Sequence, residues 1–366
     1  MDASHRLLIV DGSNLLFQMF YGMPARILNK DGKPIQGTLG FVGALLKIVR
    51  RVQPTHLVVL FDGECQNERT ALDADYKANR PDFSEMAEED TPFSQLPDVY
   101  AALDFLGMAH AETTTCEADD LVAGYALTYG GGMNVVIASF DSDFFQLITD
   151  RVCVLRYRGD NTVICDPAYI AEKFGISPSQ YADFKSLTGD TADNIKGAEK
   201  VGPKTAAALI RQFGTLEGVL THADDITKPS VRASILQSTD RLRLNYQLIK
   251  LGASASLPFG LDALAYRYNG ITTTEVLVGI GVKKTASMSC CDFAVKASPR
   301  PTVTLSVFSV HSPHPSRRRR DAFSYREKAF RLLCGELYRF TFHYYLLLNK
   351  KSRPFGRDFL VLRSAQ

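Results

Sequence analysis

The sequence predicts an α/β fold, a mostly parallel central sheet flanked by helices, and three observations predict it. Three strand-length apolar runs, Leu7–Val10, His56–Phe61 and Asn134–Phe140, each lead into an aspartate: Asp11, Asp62 and Asp141. The runs are nearly continuous rather than alternating, which is how strands buried on both faces of a parallel sheet read. Helical patterns separate them. Thr38–Val52 carries Phe41, Leu45, Ile48 and Val49 at helical spacing, and Pro97–Leu106 and Ala118–Tyr129 read similarly. Strands alternating with helices imply a parallel sheet.

In such sheets ligands bind outside the carboxyl ends of the strands. One aspartate there is commonly a turn or cap residue. Three on separate strands point to a shared acidic pocket. Further acidic clusters join them. Glu117-Ala118-Asp119-Asp120 opens a helix, where positions three apart share a face and carboxylates favour the positive helix end. Asp141-Ser142-Asp143 sits just past a strand, and Asp190 and Asp193 flank a short polar turn. These nine carboxylates would repel one another unless cations sat among them. Oxygen ligands without histidine or thiolate favour Mg²⁺, with Mn²⁺ as a substitute, over zinc. Two such ions can activate water and stabilise the leaving oxygen of a phosphodiester.

A segment for handling substrate follows the second strand, Asp75-Tyr76-Lys77-Ala78-Asn79-Arg80-Pro81. Tyr76 offers a ring for base stacking, and Lys77 and Arg80 offer charge to phosphates. The polar stretch from Pro81 to Pro97 reads as a mobile arch or lid, so an arch is expected over about residues 69–97. A helical unit is expected from 177 to about 260, after an α/β core over 5–176. It contains Gly197-Ala198-Glu199-Lys200-Val201-Gly202-Pro203-Lys204-Thr205-Ala206, a glycine-bearing turn leading into a helix over Ala206–Phe213. Backbone amides at such a helix start can cradle a phosphate, with Lys200 and Lys204 adding charge. An ordinary helix hairpin is the plainer reading of that segment alone.

Residues 1–283 hold 26 Lys+Arg against 35 Asp+Glu, whereas 284–366 hold 16 against 5. An acidic body suits carboxylates that hold metal ions, with basic residues placed locally. The stretch 285–366, rich in Ser, Pro and Thr before Arg317-Arg318-Arg319-Arg320, reads as a disordered basic tail. Seven cysteines without a Cys-x-x-Cys pair read as free thiols. No signal-peptide core or membrane-length span is visible, so a cytoplasmic setting is expected.

Taken in order, Asp11-Gly12-Ser13-Asn14, Phe61-Asp62, Tyr76 through Pro81, Glu117-Ala118-Asp119-Asp120, Asp141-Ser142-Asp143 with Gln146-Leu147, and Gly189-Asp190 through Ala206 form a set. The chain resembles the 5′-nuclease family: the 5′-3′ exonuclease domain of bacterial DNA polymerase I, phage 5′-exonucleases and flap endonucleases. That resemblance spans about residues 5–260. It implies a PIN-like nuclease core with a helix-hairpin-helix-like module, cutting DNA with two metal ions. Asp11, Asp62, Glu117, Asp119 and Asp120 would serve the first ion, and Asp141, Asp143, Asp190 and Asp193 the second, with some carboxylates shared. Lys77 would lie near the scissile phosphate with Arg80 and Tyr76 beside it. Lys196, Lys200, Gly202, Lys204 and Thr205 would face duplex DNA, with a potassium ion at that turn. The implied partner is DNA with 5′ flaps, nicks or free 5′ ends, bound by a monomer. Two departures stand out: Gln18 replaces a common arginine, and Lys196 a common proline.

Three other readings compete. A PIN-type ribonuclease shares the carboxylates but needs neither the Tyr76–Arg80 segment nor the Gly197–Lys204 turn. A phosphatase with a nucleophilic aspartate lacks the second aspartate of its loop in Asp11-Gly12-Ser13. A catalytically silent, structure-specific DNA-binding protein would keep the motifs without turnover.

Overall fold

The computed structural model describes residues 5–282 apart from 24, 30, 64–67, 81–82, 84–86 and 254. The expected tail over 285–366 therefore lies outside the described residues, as do 81–82 and 84–86 of the expected arch. Among the described residues Cys116, Cys153 and Cys165 form no disulfide.

The chain opens with β1 (Arg6–Asp11), α1 (Gly12–Gly22), α2 (Gln36–Val52), β2 (His56–Phe61), α3 (Glu68–Leu72) and α4 (Leu96–Phe105). It continues with β3 (Ala109–Glu112), α5 (Ala118–Tyr129), β4 (Asn134–Ala138), β5 (Val152–Arg156) and β6 (Val163–Cys165). These strands form one sheet in the order β3-β2-β1-β4-β5-β6. All neighbours are parallel except β5 and β6. From β1 the chain steps outward through β2 and β3, then returns to place β4 on the other side. That reversal creates a crevice at the carboxyl ends of β1 and β4.

The continuous apolar runs are explained by two cores. Leu7 and Ile9 of β1, with Val58 and Leu60 of β2, pack on one face against Leu121, Val122 and Tyr125 of α5. Leu8 and Val10, with Leu57, Val59 and Phe61, pack on the other against Phe41, Leu45 and Val49 of α2. Alternate side chains point to opposite faces, and both faces are covered. Leu7 through Val10 are fully buried.

The second part comprises α6 (Pro167–Phe174), α7 (Tyr181–Thr188), β7 (Gly189–Asp190), β8 (Ile195–Lys196), α8 (Pro203–Phe213), α9 (Leu216–Thr221), α10 (Pro229–Gln237), α11 (Thr239–Ile249) and α12 (Thr273–Gly279). The first core does not stop at position 176: Ile210, Val219 and Ile235 belong to the same buried cluster as β1 and α5. The helix expected from Ala206 starts three residues earlier, at Pro203, where proline's missing N–H costs nothing. The sequence does not assign β3, β5 or β6 of this sheet. β3 is Ala109-His110-Ala111-Glu112, without a β-branched residue, and β6 exposes Val163 and Ile164 at the sheet edge.

Candidate metal centre

The carboxylates are positioned by the backbone at which their strands end. Asp11 caps α1, accepting from the Asn14 amide at 3.0 Å, and its other oxygen accepts from Ser139 Oγ at 2.7 Å. Asn14 Oδ1 in turn accepts from the Phe140 amide at 3.1 Å. The ends of β1 and β4 are thereby tied together by side chains. Asp62 accepts from the Ala118 amide at 3.0 Å, joining the end of β2 to the start of α5. Its own amide donates to Ser13 Oγ at 2.8 Å.

Electrostatics separate the nine acids into groups. Asp11 is buried, and its carboxyl is pushed up to about 7 by burial first, then by Asp62 and Asp141. Burial, followed by Asp141, Asp11 and Asp62, holds Asp119 well above the ordinary range. Asp11, Asp62, Asp119 and Asp141 therefore lie close enough to act on one another's charge. The sequence reading placed Asp141 with the second set; here it couples to the first set and also to Asp193. Carboxylates brought this near one another could serve as donors to a divalent cation.

Asp143, Asp190 and Asp193 form a second group, with one oxygen from each within 4.8 Å of the others. Such an all-oxygen set fits Mg²⁺ or Mn²⁺. Glu117 and Asp120 instead turn to cations that the sequence reading did not single out or placed elsewhere. Arg69 of α3 reaches Glu117 at 2.7 Å and Asp120 at 2.6 Å, and Lys77 pairs with Glu117. Burial would raise Glu117, but Lys77 and Arg69 hold its carboxyl below the usual range. Lys185, also missed, meets Asp143 and lies 2.5 Å from Asp190. As a lone lysine within Tyr181–Thr188, it gave no signal along the sequence.

The segment Asp75–Arg80 docks on the turn that carries Asp190 and Asp193. The Lys77 amide donates to the Asp193 carbonyl at 3.0 Å, and Asn194 Nδ2 to the Asp75 carbonyl at 2.7 Å. Asn79 Nδ2 donates to the Thr191 carbonyl at 2.9 Å, and Arg80 lies 3.1 Å from Asp193. Lys77 and Asn194 both have left-handed backbones, with φ of 57° and 59°. Such conformations persist only where surrounding contacts fix them.

The stacking role expected of Tyr76 is corrected. Its ring is only 5% exposed and packs with Ala182, Ile195, Leu248 and Ile249, while its hydroxyl donates to Glu117 at 3.2 Å. An amphipathic ring beside a large apolar surface gains more by burial than by waiting in solvent. Gln18 donates to the Tyr157 carbonyl at 3.1 Å. Lys196, Lys200, Gly202 and Lys204 are exposed and Thr205 half-buried, with Lys200 in a left-handed conformation before α8.

A parallel sheet whose switch point gathers carboxylates from β1, β2, α5, β4 and the β7–β8 turn, with lysines and arginines at the rim, could hold divalent cations and meet a phosphate. Two family models match in succession. One, described as a 5′-3′ exonuclease N-terminal resolvase-like domain, covers residues 6–175; the other, a 5′-3′ exonuclease C-terminal SAM fold, covers 176–271. The chain belongs to the 5′-3′ exonuclease family. It is 35% identical over 258 residues to the thermostable DNA polymerase I of Thermus aquaticus, covering 70% of this chain and 29% of that protein. It is 35% identical over 273 residues to DNA polymerase I of Rhizobium leguminosarum, covering 72% and 26%. The chain thus spans under a third of the polymerases it matches. In fold it is similar to a T5 5′-exonuclease with bound zinc, at a TM-score of 0.56 and 23% identity over 67% of this chain and 89% of that one. A T5 flap endonuclease in complex with DNA and metal ions gives 0.55 and 22%, over 76% and 94%. No helix among the described residues is long and apolar enough to cross a membrane.

Proposed function

We propose that the chain hydrolyses DNA phosphodiesters at 5′ flaps, nicks and free 5′ ends, using two Mg²⁺ ions. The observation that carries the reading is the gathering of Asp11, Asp62, Asp119 and Asp141 into one mutually repelling group beside the Asp143–Asp190–Asp193 set. Divalent ions held by these two groups would supply Lewis-acid activation of water and charge relief for the leaving oxygen. The chain's own groups do the rest. Lys77 and Arg80, fixed on the turn that carries Asp193, present charge where a scissile phosphate must approach. Glu117, Asp120 and Arg69 orient the Lys77 segment against α5. The Gly202–Thr205 helix start, with Lys196, Lys200 and Lys204 exposed around it, would hold the duplex through backbone phosphates, with K⁺ a fitting companion at its carbonyls. Residues 6–175 form the cutting lobe and 176–271 the gripping lobe, in a monomer.

A labelled 5′-flap duplex, a nicked duplex and a matched RNA, each incubated with Mg²⁺ and with a chelator, test this. Metal-dependent release of 5′ fragments from DNA is the expected result. Cleavage of RNA alone would favour the ribonuclease, and binding without cleavage a silent DNA-binding protein.

A further inference from the structure

Lys185 is the only lysine among the described residues that counts as core: it is 7% exposed and projects from α7. Its ammonium meets Asp143 and lies 2.5 Å from Asp190. Those two carboxylates are two thirds of the group whose oxygens all lie within 4.8 Å of one another. The third member, Asp193, is served separately by Arg80 at 3.1 Å. The lysine is thus the chain's own neutraliser of the site's interior half.

We propose that Lys185 is a built-in counter-cation that competes with the divalent ion for Asp143 and Asp190. It holds the carboxylates together before the ion arrives and gives them up when the ion binds. This inference rests on the metal-site reading above. The physical case is charge arithmetic. An ammonium and a divalent ion drawing on the same oxygens repel each other, so one must withdraw. A lysine suits the exchange, because its flexible four-carbon stem lets the charge retreat while α7 stays packed. The cost of withdrawal is subtracted from the ion's affinity, and the gain is a site that stays assembled without it.

The test uses the full chain without DNA: thermal denaturation in EDTA and in rising Mn²⁺, with calorimetric Mn²⁺ binding at the same pH. Lys185→Met should melt several degrees lower in EDTA and bind Mn²⁺ about tenfold more tightly, a difference one charge contact can supply. Lys185→Arg should stay near wild type in EDTA. Equal or weaker Mn²⁺ affinity in Lys185→Met would overturn the proposal. A measurement without substitution covers the case in which that variant does not fold: the ¹⁵Nζ resonance of Lys185 in wild type should shift as Mg²⁺ saturates the site, and an unmoved resonance at saturation would also overturn it. Failure of wild type to bind Mn²⁺ at all would instead remove the metal site itself, which separates the two readings.

Discussion

At the scale of single residues, the carboxylates differ by what neutralises them. Among the described residues Asp119 and Asp11 pair with no cation and sit above their ordinary range, whereas Glu117 has Lys77 and Arg69 and Asp190 has Lys185. The first pair should therefore depend most on the ion. Asp119→Asn should cut turnover by about a hundredfold or more while DNA still binds, measured by single-turnover cleavage beside a binding isotherm. Unchanged turnover would refute the site assignment. Lys77 is different, since its ammonium lies on Glu117 and its backbone on Asp193. Lys77→Ala should lower kcat much more than it weakens duplex affinity; a defect confined to affinity would mean that Lys77 only binds. The sequence made both residues legible because their motifs are local. It misread Tyr76, because the pocket that buries this ring comes from Ala182, Ile195 and Leu248, more than a hundred residues away.

At the scale of elements, the turn between β7 and β8 joins the metal group to the Lys77 segment. Gly189 has φ of 75°, and an added Cβ there would meet the Gly197 nitrogen at 2.4 Å. Across from it, a Cβ on Gly197 would meet the Thr188 carbonyl carbon at 2.3 Å. Both glycines are required by close backbone approach. Gly197→Ala should destabilise the chain by about 1–3 kcal/mol, as overpacking does. It should also weaken Mg²⁺-induced stabilisation, because the same turn places Asp190 and Asp193; denaturant melts with and without Mg²⁺ would show both effects. A variant with wild-type stability and wild-type Mg²⁺ response would count against this coupling. Element boundaries were read well where a long amphipathic pattern existed, as in α2 and α5. They were missed in β3, whose partner β2 rather than its own composition makes it a strand.

For the whole molecule, the carboxylate groups should impose a pH dependence that metal removes. Asp11 and Asp119 hold protons in the folded state that the unfolded chain releases at its ordinary carboxylate range. Stability in chelator should therefore fall as pH rises from about 5 to 7, because the folded form binds more protons across that window. Glu117 and Asp190 act in the opposite direction, but their lowered values put that contribution at more acidic pH. Saturating Mg²⁺ binds the deprotonated groups and should flatten or reverse the slope. Melting temperature across this range, in EDTA and in Mg²⁺, checks the sign. A rise with pH in EDTA would show that the acids are not held together as described.

The sequence by itself determined three central strands, their parallel sense and the acids at their ends. Apolar runs buried on both faces must be continuous, and each run announces its own end. It could not decide which cation answers which acid. Arg69, Lys77 and Lys185 reach Glu117, Asp120 and Asp143 across gaps of 40 to 51 residues. Only the tertiary structure settles such pairings, because charge acts through distance in space and leaves no period along the chain.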